Sequence, residues 1–453
     1  MKIETVNGAE AKAAATEEPS KSGLALTSAQ QIETEDARLV FADASEGFAC
    51  QGLVDKTNGT RFFDIRPEYA GLWILEFRKL DIAKQKKNGE GVVEDPLYGA
   101  PAQDSLPAVK LTNRSVGQGV CEKIDNGLRF IWKNQAIGDE KDVLDVICDV
   151  LWNNAEKQFE FRMSLANRSK NYGLWTSEYP SLGQVFEPGK GDALLPGGNW
   201  GARLFKNNRE GIGFMYPCAV APMQFMAFNI GNTGVYFAAH DGAARPKRIL
   251  VSSKQDISYQ TYAENMGQPG AAFATDFPVV LSLYHGDWWQ AAKKYRKWAL
   301  QQPWTAKGPI AQRKEFPQRF IDNGFWMCLD GEPARVEKIL NDLDKRVAGR
   351  VPFGTHWYSW HKIPFDHSYP NYFPTKDGFA ETTARMKAKG QMIMPYINGR
   401  LWDMDIDSFP TEGIKSAAKN EKGEPYIEIY ASKRRLVPNC PYTKQWQGKI
   451  QEI

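Results

Sequence analysis

Three of the five histidines of this 453-residue chain lie in one stretch, residues 351–403, together with three tryptophans and several polar side chains. Histidines and carboxylates can transfer protons, an arginine can clamp hydroxyl groups or an anion, and indole rings offer flat apolar faces. The histidines and tryptophans of the stretch are His356, His361, His367, Trp357, Trp360 and Trp402. This mixture predicts a binding site for a polar small molecule.

The pattern of the same stretch predicts the elements that must position these side chains. An apolar and aromatic run at 351–358 predicts a strand, and three prolines keep the loop 361–377 from being helical throughout. A 3.6-residue period from Phe379 predicts a helix that ends at Gly390. The apolar run 392–397 predicts a second strand, buried on both faces. Polar side chains follow both strands, at the sheet edge where parallel α/β folds bind ligands.

The candidate ligand-binding residues lie at or just after the ends of these two strands: His356, Trp360, Asp366, Asn398, Arg400, Trp402 and Asp403. Each has a structural alternative. The tryptophans could pack between strands and helices, and the aspartates could cap helices or bond within turns. Arg400 could form an ion pair that holds its loop. Asp330, which precedes a predicted helix, suits a helix cap better than a ligand contact.

The spacing of the histidines and glycines gives little support for metal or nucleotide chemistry. The intervals between His356, His361 and His367 are five and six residues in a proline-rich loop, longer than the usual zinc spacing on one element. No glycine-rich phosphate-binding pattern occurs. We therefore predict no metal and no cofactor, with a metal hydrolase built on the histidine loop as an open alternative. His240 could be a base in the β-rich region, but no paired glutamate is identifiable, which favours a structural role.

Composition narrows the choice of partners. The formal net charge is +3, and no lysine- or arginine-rich run carries interleaved aromatics, so nucleic acid is not a predicted partner. No apolar run approaches the roughly 18–20 residues of a membrane span. The six cysteines are widely spaced and mostly lie in apolar runs, which predicts buried free thiols.

The chain divides into four consecutive regions. Residues 1–35 lack aromatic residues, which predicts a disordered leader. They also lack the apolar core of a secretory signal. Short strand-like runs over 36–285 predict one antiparallel β-sandwich. Residues 286–318 predict an amphipathic connecting helix and a linker. Strand and helix patterns alternate over 319–453 and predict three βα units.

The predicted fold class is therefore multidomain, β followed by α/β. Three βα units cannot close a barrel, which needs eight units and about 250 residues. An open three-stranded sheet would also leave an unpaired edge and an apolar face in water. We therefore expect a fragment of a larger barrel protein, and the alternative is a small open α/β domain.

Several motifs resemble those of a known group of proteins. HWYSWHKIPFDHSYPNYFP, MPYINGRLWD and PNCPYTKQWQGKI resemble the first part of the barrel in mainly bacterial glycoside-hydrolase-like proteins. GFACQGLVDKTNG, YPCAVAPMQFMAF and GVYFAAHDGAARPK are similar to that group's N-terminal galactose-mutarotase-like β-supersandwich. The arrangement resembles that of endo-α-N-acetylgalactosaminidases and other retaining α-glycosidases. The resemblance spans residues 36–453, and MPYINGRLWD is its most specific part.

The resemblance implies a glycoside hydrolase for α-linked glycans or glycoconjugates, which uses two carboxylates roughly 5–5.5 Å apart in a retaining mechanism. In such enzymes the nucleophilic aspartate ends the fourth barrel strand, and the acid/base carboxylate lies further on. Both are therefore expected beyond Ile453, and this chain alone is expected to be inactive. The resemblance also implies a secreted or periplasmic protein. A carbohydrate-binding or scaffolding protein without catalysis is the open alternative.

Overall fold

The computed structural model describes residues 2–5, 30–63, 71–79, 92–94, 108–196, 201–218, 220–420 and 423–453. The chain forms two compact units. One comprises Met1–Leu80 with Ser105–Ala306 and is called the β-rich unit; the other comprises Asp81–Asp104 with Lys307–Ile453 and is called the α/β unit. None of the helices in the described ranges combines the length and the apolar character that a membrane crossing requires.

The strands, in chain order, are β1 (Lys2–Thr5), β2 (Gln30–Glu33), β3 (Ala37–Phe41), β4 (Cys50–Asp55), β5 (Arg61–Phe62), β6 (Ile74–Lys79), β7 (Val92–Glu94), β8 (Ala108–Thr112), β9 (Val120–Ile124), β10 (Gly127–Ile137), β11 (Glu140–Asn153), β12 (Gln158–Asn167), β13 (Tyr172–Leu182), β14 (Asp192–Pro196), β15 (Ala202–Phe205), β16 (Ile212–Tyr216), β17 (Phe225–Ile230), β18 (Thr233–Ala239), β19 (Lys247–Val251), β20 (Ile257–Tyr262), β21 (Phe273–Ala274), β22 (Val279–His285), β23 (Phe325–Asp330), β24 (Phe353–Tyr358), β25 (Met392–Pro395), β26 (Leu401–Asp403), β27 (Tyr426–Ile429) and β28 (Arg435–Pro438). The helices are α1 (Trp288–Ala299), α2 (Gln318–Ile321), α3 (Pro333–Val347), α4 (Phe379–Ala388), α5 (Ile414–Ser416) and α6 (Lys444–Gln451).

Three antiparallel sheets build the β-rich unit. Their strand orders are β1–β2–β3–β4–β5, β15–β14–β17–β18–β22–β12–β11–β10–β9 with β21 beside β12, and β16–β19–β20–β13–β6–β8. The sheets share one core, in which the rings of Phe41 and Phe130 lie 5.0 Å apart and those of Phe237 and Tyr259 lie 5.1 Å apart. The prediction of a β-rich region followed by an α/β region is confirmed.

Alternating burial explains the long hairpin β11–β12. Val146, Cys148 and Val150 are fully buried, whereas the residues between them keep part of their surface. Asn153 pairs with Gln158 across the turn between the strands, as the sequence predicts. When the side chains of a strand alternate between core and surface, one pairing register is strongly favoured, because a slip of one residue would move the polar side chains into the core.

The expected leader 1–35 is partly ordered. Strands β1 and β2 pair with each other in this segment, and Ile32 on β2 lies in the core with none of its surface exposed. Burial of that side chain, together with pairing of β2 to β3, holds the segment in the sheet. The part of the prediction that concerns residues 6–29 lies outside the described residues.

The six cysteines are all unpaired. Cys50 and Cys148 are buried as predicted, and burial raises the pKa of the Cys50 thiol to about 12. The prediction is wrong for Cys218 and Cys328, which are exposed. Cys328 is exposed because it lies on the uncovered face of its sheet.

The parallel strands β23, β24 and β25 form the central sheet of the α/β unit. Phe353 and Trp357 on β24 are buried with Val336 and Leu340 of α3, and α4 packs against the same cluster. The opposite face is open, so Met394 on β25 is 44% exposed. The expectation that 392–397 is buried on both faces is therefore wrong, because both helices pack on one side.

A four-stranded sheet with the order β26–β28–β27–β7 is called the small sheet, and its strands β27 and β28 lie in or at the end of the predicted polar excursion 404–437. Strand β7 pairs in parallel with β27, although the sequence places it in the sandwich region. The predicted helices α1, α3 and α4 are present, whereas α6 begins at Lys444, where Thr443 caps it, rather than near Pro441.

Candidate functional site

Four aromatic rings gather where β24 and β25 end, and we call His356, Tyr358, Phe365 and Tyr396 the aromatic cluster. The rings of Tyr358 and Tyr396 stack 4.7 Å apart, and the Phe365 ring lies 5.3 Å from that of Tyr396. The His356 ring lies 4.6 Å from that of Tyr358. All four side chains keep part of their surface exposed. The cluster is therefore an accessible aromatic surface on the face opposite the helices.

Strand register places this surface. His356 and Tyr358 are two residues apart on β24, so both point away from α3, while Trp357 between them points toward it. The indole of Trp326 lies across Gly354 on the same face, where a Cβ atom would come within 2.5 Å of the ring. Only glycine allows this close approach, which extends the aromatic surface along the sheet.

Asp366 lies beside the cluster, in the loop 359–378 that follows β24, and is 8% exposed. Its Oδ1 accepts a hydrogen bond from the Tyr369 hydroxyl at 3.2 Å, and its backbone N–H donates to the same hydroxyl. Among the described residues it forms no ion pair, and burial raises the pKa of its carboxyl above the ordinary value. Its carboxyl oxygens can accept hydrogen bonds from ligand hydroxyls.

Asn398 shapes the turn after β25. Its Oδ1 accepts hydrogen bonds from the backbone N–H groups of Arg400 and Leu401, each at 3.1 Å. Its Nδ2 donates to the Tyr396 hydroxyl at 3.3 Å, and its backbone N–H donates to the Tyr372 hydroxyl. Asn398 therefore positions a ring of the aromatic cluster.

The two tryptophans predicted to contact ligand are buried. Trp360 is 4% exposed, lies parallel to Tyr372 at 6.0 Å and donates its indole N–H to the Tyr396 carbonyl. Trp402 has no exposed surface and packs against Trp446 at 5.8 Å. The interpretation of these indoles as open ring faces is corrected: Tyr372 and Phe379 pack against Trp360, and Phe409 and Trp446 pack against Trp402.

Asp403 and Arg400 are held in ion pairs. Asp403 is fully buried, and the Arg434 guanidinium donates to both of its carboxylate oxygens at 2.7–2.9 Å. Arg400 donates to Glu428 at 2.7 Å, which is the structural alternative that the sequence left open. Asp403 is therefore not an open ligand contact, whereas the Arg400 side chain stays 46% exposed.

Two further residues considered in the sequence differ in exposure: His361 is buried and Asp330 is exposed. His361 is 1% exposed, and within the described residues neither of its ring nitrogens has a hydrogen-bond partner. The same residues contain no group of three His, Cys, Asp or Glu side chains arranged to hold a metal ion. Asp330 is exposed, and the cap position of α3 is Glu332, so the expectation of an Asp330 cap is wrong.

The structure brings together three aromatic residues that the sequence reasoning missed: Tyr358, Phe365 and Tyr396. A signal for two of them was available. Tyr358 and Tyr396 lie two residues after His356 and Met394, and period-two alternation puts them on the same faces as those residues. Phe365 lies in a loop, where no periodicity indicates the direction of a side chain.

Three comparisons with known proteins bear on this site. The family model described as a domain of unknown function, DUF6259, matches residues 273–453. A Monosiga brevicollis protein named "Putative glycoside hydrolase 22789" is 30% identical over 286 residues, which cover 55% of this chain and 24% of that protein. A Bacteroides thetaiotaomicron protein named "Putative glycoside hydrolase" is 29% identical over 302 residues, 64% of this chain and 43% of that protein. The chain thus spans less than half of either relative.

Among solved structures, the alpha-N-acetylgalactosaminidase NagBb from Bifidobacterium bifidum, in a complex with GalNAc, aligns with a TM-score of 0.60. The alignment covers 90% of this chain and 65% of that chain, at 11% sequence identity. At this identity the likeness shows a shared fold.

Proposed function

We propose that this chain is part of a glycoside hydrolase for α-linked glycans or glycoconjugates, and that its α/β unit provides a glycan-binding wall. The observation that carries the proposal is the aromatic cluster beside Asp366 and Asn398, at the carboxyl ends of two parallel strands. Aromatic rings bind the apolar face of a sugar, and nearby carboxyl and amide groups bind its hydroxyls. The two relatives named as glycoside hydrolases support the reaction class.

We infer that the region 319–453 is the first three βα units of a (β/α)8 barrel. Parallel strand order and helices on one face support this, and the open face with Trp326, His356 and Met394 has the position of a barrel interior. In this proposal 36–285 is a galactose-mutarotase-like β-supersandwich, and 286–318 connects the two regions.

The proposed mechanism retains configuration and uses two carboxylates. Asp403 and Glu428 are each bound to an arginine, so neither carboxylate is free to attack a substrate or contact a ligand. We therefore assign binding roles to the described residues and keep the prediction that the catalytic pair lies beyond Ile453. Asp366 would accept a hydrogen bond from a ligand hydroxyl. His356, whose pKa burial lowers, would accept one as a neutral imidazole.

The test measures binding of p-nitrophenyl α-N-acetylgalactosaminide and p-nitrophenyl α-galactoside to the full chain by calorimetry. We expect Tyr396→Ala to weaken binding about tenfold, because it removes the central ring of the cluster. Phe373→Ala is the matched control, since that ring is 58% exposed and lies outside the cluster. Equal affinity for the parent chain and Tyr396→Ala would contradict the proposed site.

Hydrolysis is tested on the same samples. We expect no release of p-nitrophenol from the 453-residue chain, because the catalytic carboxylates are predicted to lie beyond Ile453. Robust release, abolished by Asp366→Asn, would overturn the location of the catalytic pair while leaving the glycan site in place.

A further inference from the structure

The β-rich unit contains a cavity of about 470 Å³ that the proposed function does not use. Its walls come from the β11–β12 hairpin, the residues around the C-terminal end of β18, and α1 with the residues after it. The charged residues that line it are Glu156, Glu160, Arg162, Lys294 and Lys297. Tyr236, His240 and Trp298 supply an aromatic wall. The cavity therefore combines charge, hydrogen-bonding groups and ring surface.

The aromatic wall holds a neutral imidazole. The His240 ring stacks on the Trp298 indole at 4.6 Å and 9°, and its Nε2 lies 2.9 Å from the Tyr236 hydroxyl. Burial, aided by the charge of Lys294, lowers the pKa of His240 to about 3. At neutral pH this side chain therefore contributes hydrogen bonding and ring surface, without charge.

Two of the five charged groups are already paired with each other, and a third is partly satisfied. Lys297 donates to both oxygens of Glu156, at 2.6 and 2.9 Å, at the rim of the cavity. Oε1 of Glu160 accepts the side-chain amides of Asn153 and Gln158, at 2.8 and 3.0 Å. Its Oε2 faces Arg162 at 3.7 Å and keeps capacity to accept a further hydrogen bond.

Lys294 is different. Its ammonium makes no hydrogen bond or ion pair with any residue in the described ranges, although its side chain is partly buried. The lining carries three cations against two carboxylates, so the excess charge is positive and Lys294 is its unpaired carrier. Burial lowers the pKa of Lys294, and the nearby charge of Glu156, which is already bound by Lys297, offsets this effect only in part.

We propose that this cavity binds a saccharide that carries one carboxylate, as a uronic acid does. Lys294 would pair with the carboxylate, and Glu160 would accept hydrogen bonds from ring hydroxyls. A phosphate dianion suits the cavity less well, because Glu156 and Glu160 would repel its second charge. The site lies wholly within the β-rich unit and is independent of the glycan site proposed for the α/β unit.

The first experiment titrates the full chain with D-glucuronate, D-glucose and acetate, by calorimetry and by NMR of the histidine ring protons. We expect glucuronate to bind, and glucose and acetate each to bind at least about tenfold more weakly, because each lacks half of the recognised chemistry. We also expect glucuronate to shift the His240 ring signals. Absence of glucuronate binding, or equal binding of glucose or acetate, would overturn the proposal.

The second experiment compares two neighbouring lysines on α1. Lys294→Gln should weaken glucuronate binding about tenfold, whereas Lys293→Gln, which removes the same charge from an exposed side chain outside the cavity, should leave it unchanged. Equal losses in the two variants would mean that glucuronate responds to general surface charge, and the assigned site would be wrong. If Lys294→Gln fails to fold, the His240 shift in the parent chain still decides the location.

Discussion

The candidate residues of the loop 359–378 and those of the small sheet differ in their partners. In the loop, Asp366 has a tyrosine hydroxyl as its partner, and His361 is buried with a lowered pKa. In the small sheet, Asp403 is bound to Arg434 and Glu428 to Arg400. Both regions contain residues that sequence chemistry marks as candidates, but only the loop leaves them without a charged partner.

This difference in partners determines how easily each carboxyl group could bind a ligand. A buried carboxylate with a bidentate arginine is fixed in geometry and charge, so releasing it to a ligand would leave the arginine unpaired. A buried carboxyl beside a hydroxyl can exchange its partner for a ligand hydroxyl at smaller cost. This difference supports the proposed ligand contact of Asp366 and the aromatic cluster, whereas the ion pair of Asp403 and the burial of Trp402 give these two residues a structural role.

The largest expected effect is on the core beneath the small sheet. Trp402→Ala should lower the free energy of unfolding by about 3–5 kcal/mol, because it leaves a cavity against Trp446. Phe365→Ala, at a ring that is 37% exposed, should cost less than about 1 kcal/mol and instead weaken sugar binding. Urea unfolding of both variants checks this. Equal losses of stability would remove the distinction between the two regions.

The next largest effect is expected from the ion pair of Asp403. Arg434→Met should cost about 3–5 kcal/mol in the free energy of unfolding, because it leaves a fully buried carboxylate unpaired. The double variant Asp403→Asn/Arg434→Met should recover part of that loss, since no unpaired charge remains. If the double variant is no more stable than Arg434→Met, the buried charge is not the cause.

A smaller, pH-dependent effect is expected in the loop. Because the folded pKa of Asp366 is raised above its usual 3.8, the folded chain binds this proton more tightly than the unfolded chain does. The stability from protonated Asp366 is therefore present below pH 3.8 and is lost as pH rises through the folded pKa. Asp366→Asn should thus gain stability relative to the parent as pH rises through that window.

The control for this prediction is Asp377→Asn, at a carboxylate whose side chain is 92% exposed. Its stability relative to the parent chain should not rise with pH in the same window. Urea unfolding at a series of pH values gives both differences. A difference between Asp366→Asn and the parent that falls as pH rises would show that the Asp366 pKa is lowered rather than raised.

The smallest effect is expected at His361. Its buried ring nitrogens have no hydrogen-bond partner among the described residues, so an apolar replacement removes an unsatisfied group. His361→Leu should leave the free energy of unfolding unchanged within about 1 kcal/mol, or raise it slightly. A loss well above that value, measured by urea unfolding, would mean that the histidine makes a polar contact that the fold needs.

The periodicity of apolar residues predicted those helices and hairpins that form between residues close in sequence. The hairpin β11–β12 and the helices α1 and α3 follow from period-two and 3.6-residue periods, with Pro333 in the first turn of α3. The small sheet could not be predicted in this way, because its strands have three or four residues and β7 comes from a distant part of the chain.

Burial of the candidate residues was also beyond sequence reasoning. Trp360 and Trp402 come shortly after β24 and β25 in the chain, and their burial results from packing with residues of later elements, such as Phe379 for Trp360 and Trp446 for Trp402. The ion-pair partner of Asp403 is Arg434, which lies 31 residues further along the chain. The polar composition of that segment predicts a loop. By contrast, strand alternation places Tyr358 on the same face as His356, and Tyr396 on the same face as Met394.

The most direct test of the account is an NMR titration of the full chain with methyl α-N-acetylgalactosaminide, observing labelled tyrosine rings and tryptophan indole N–H groups. We predict shifts at Tyr358 and Tyr396 and unchanged indole signals from Trp402. Shifts at Trp402 with unchanged Tyr358 and Tyr396 would contradict the assignment of the aromatic cluster as the glycan-binding surface.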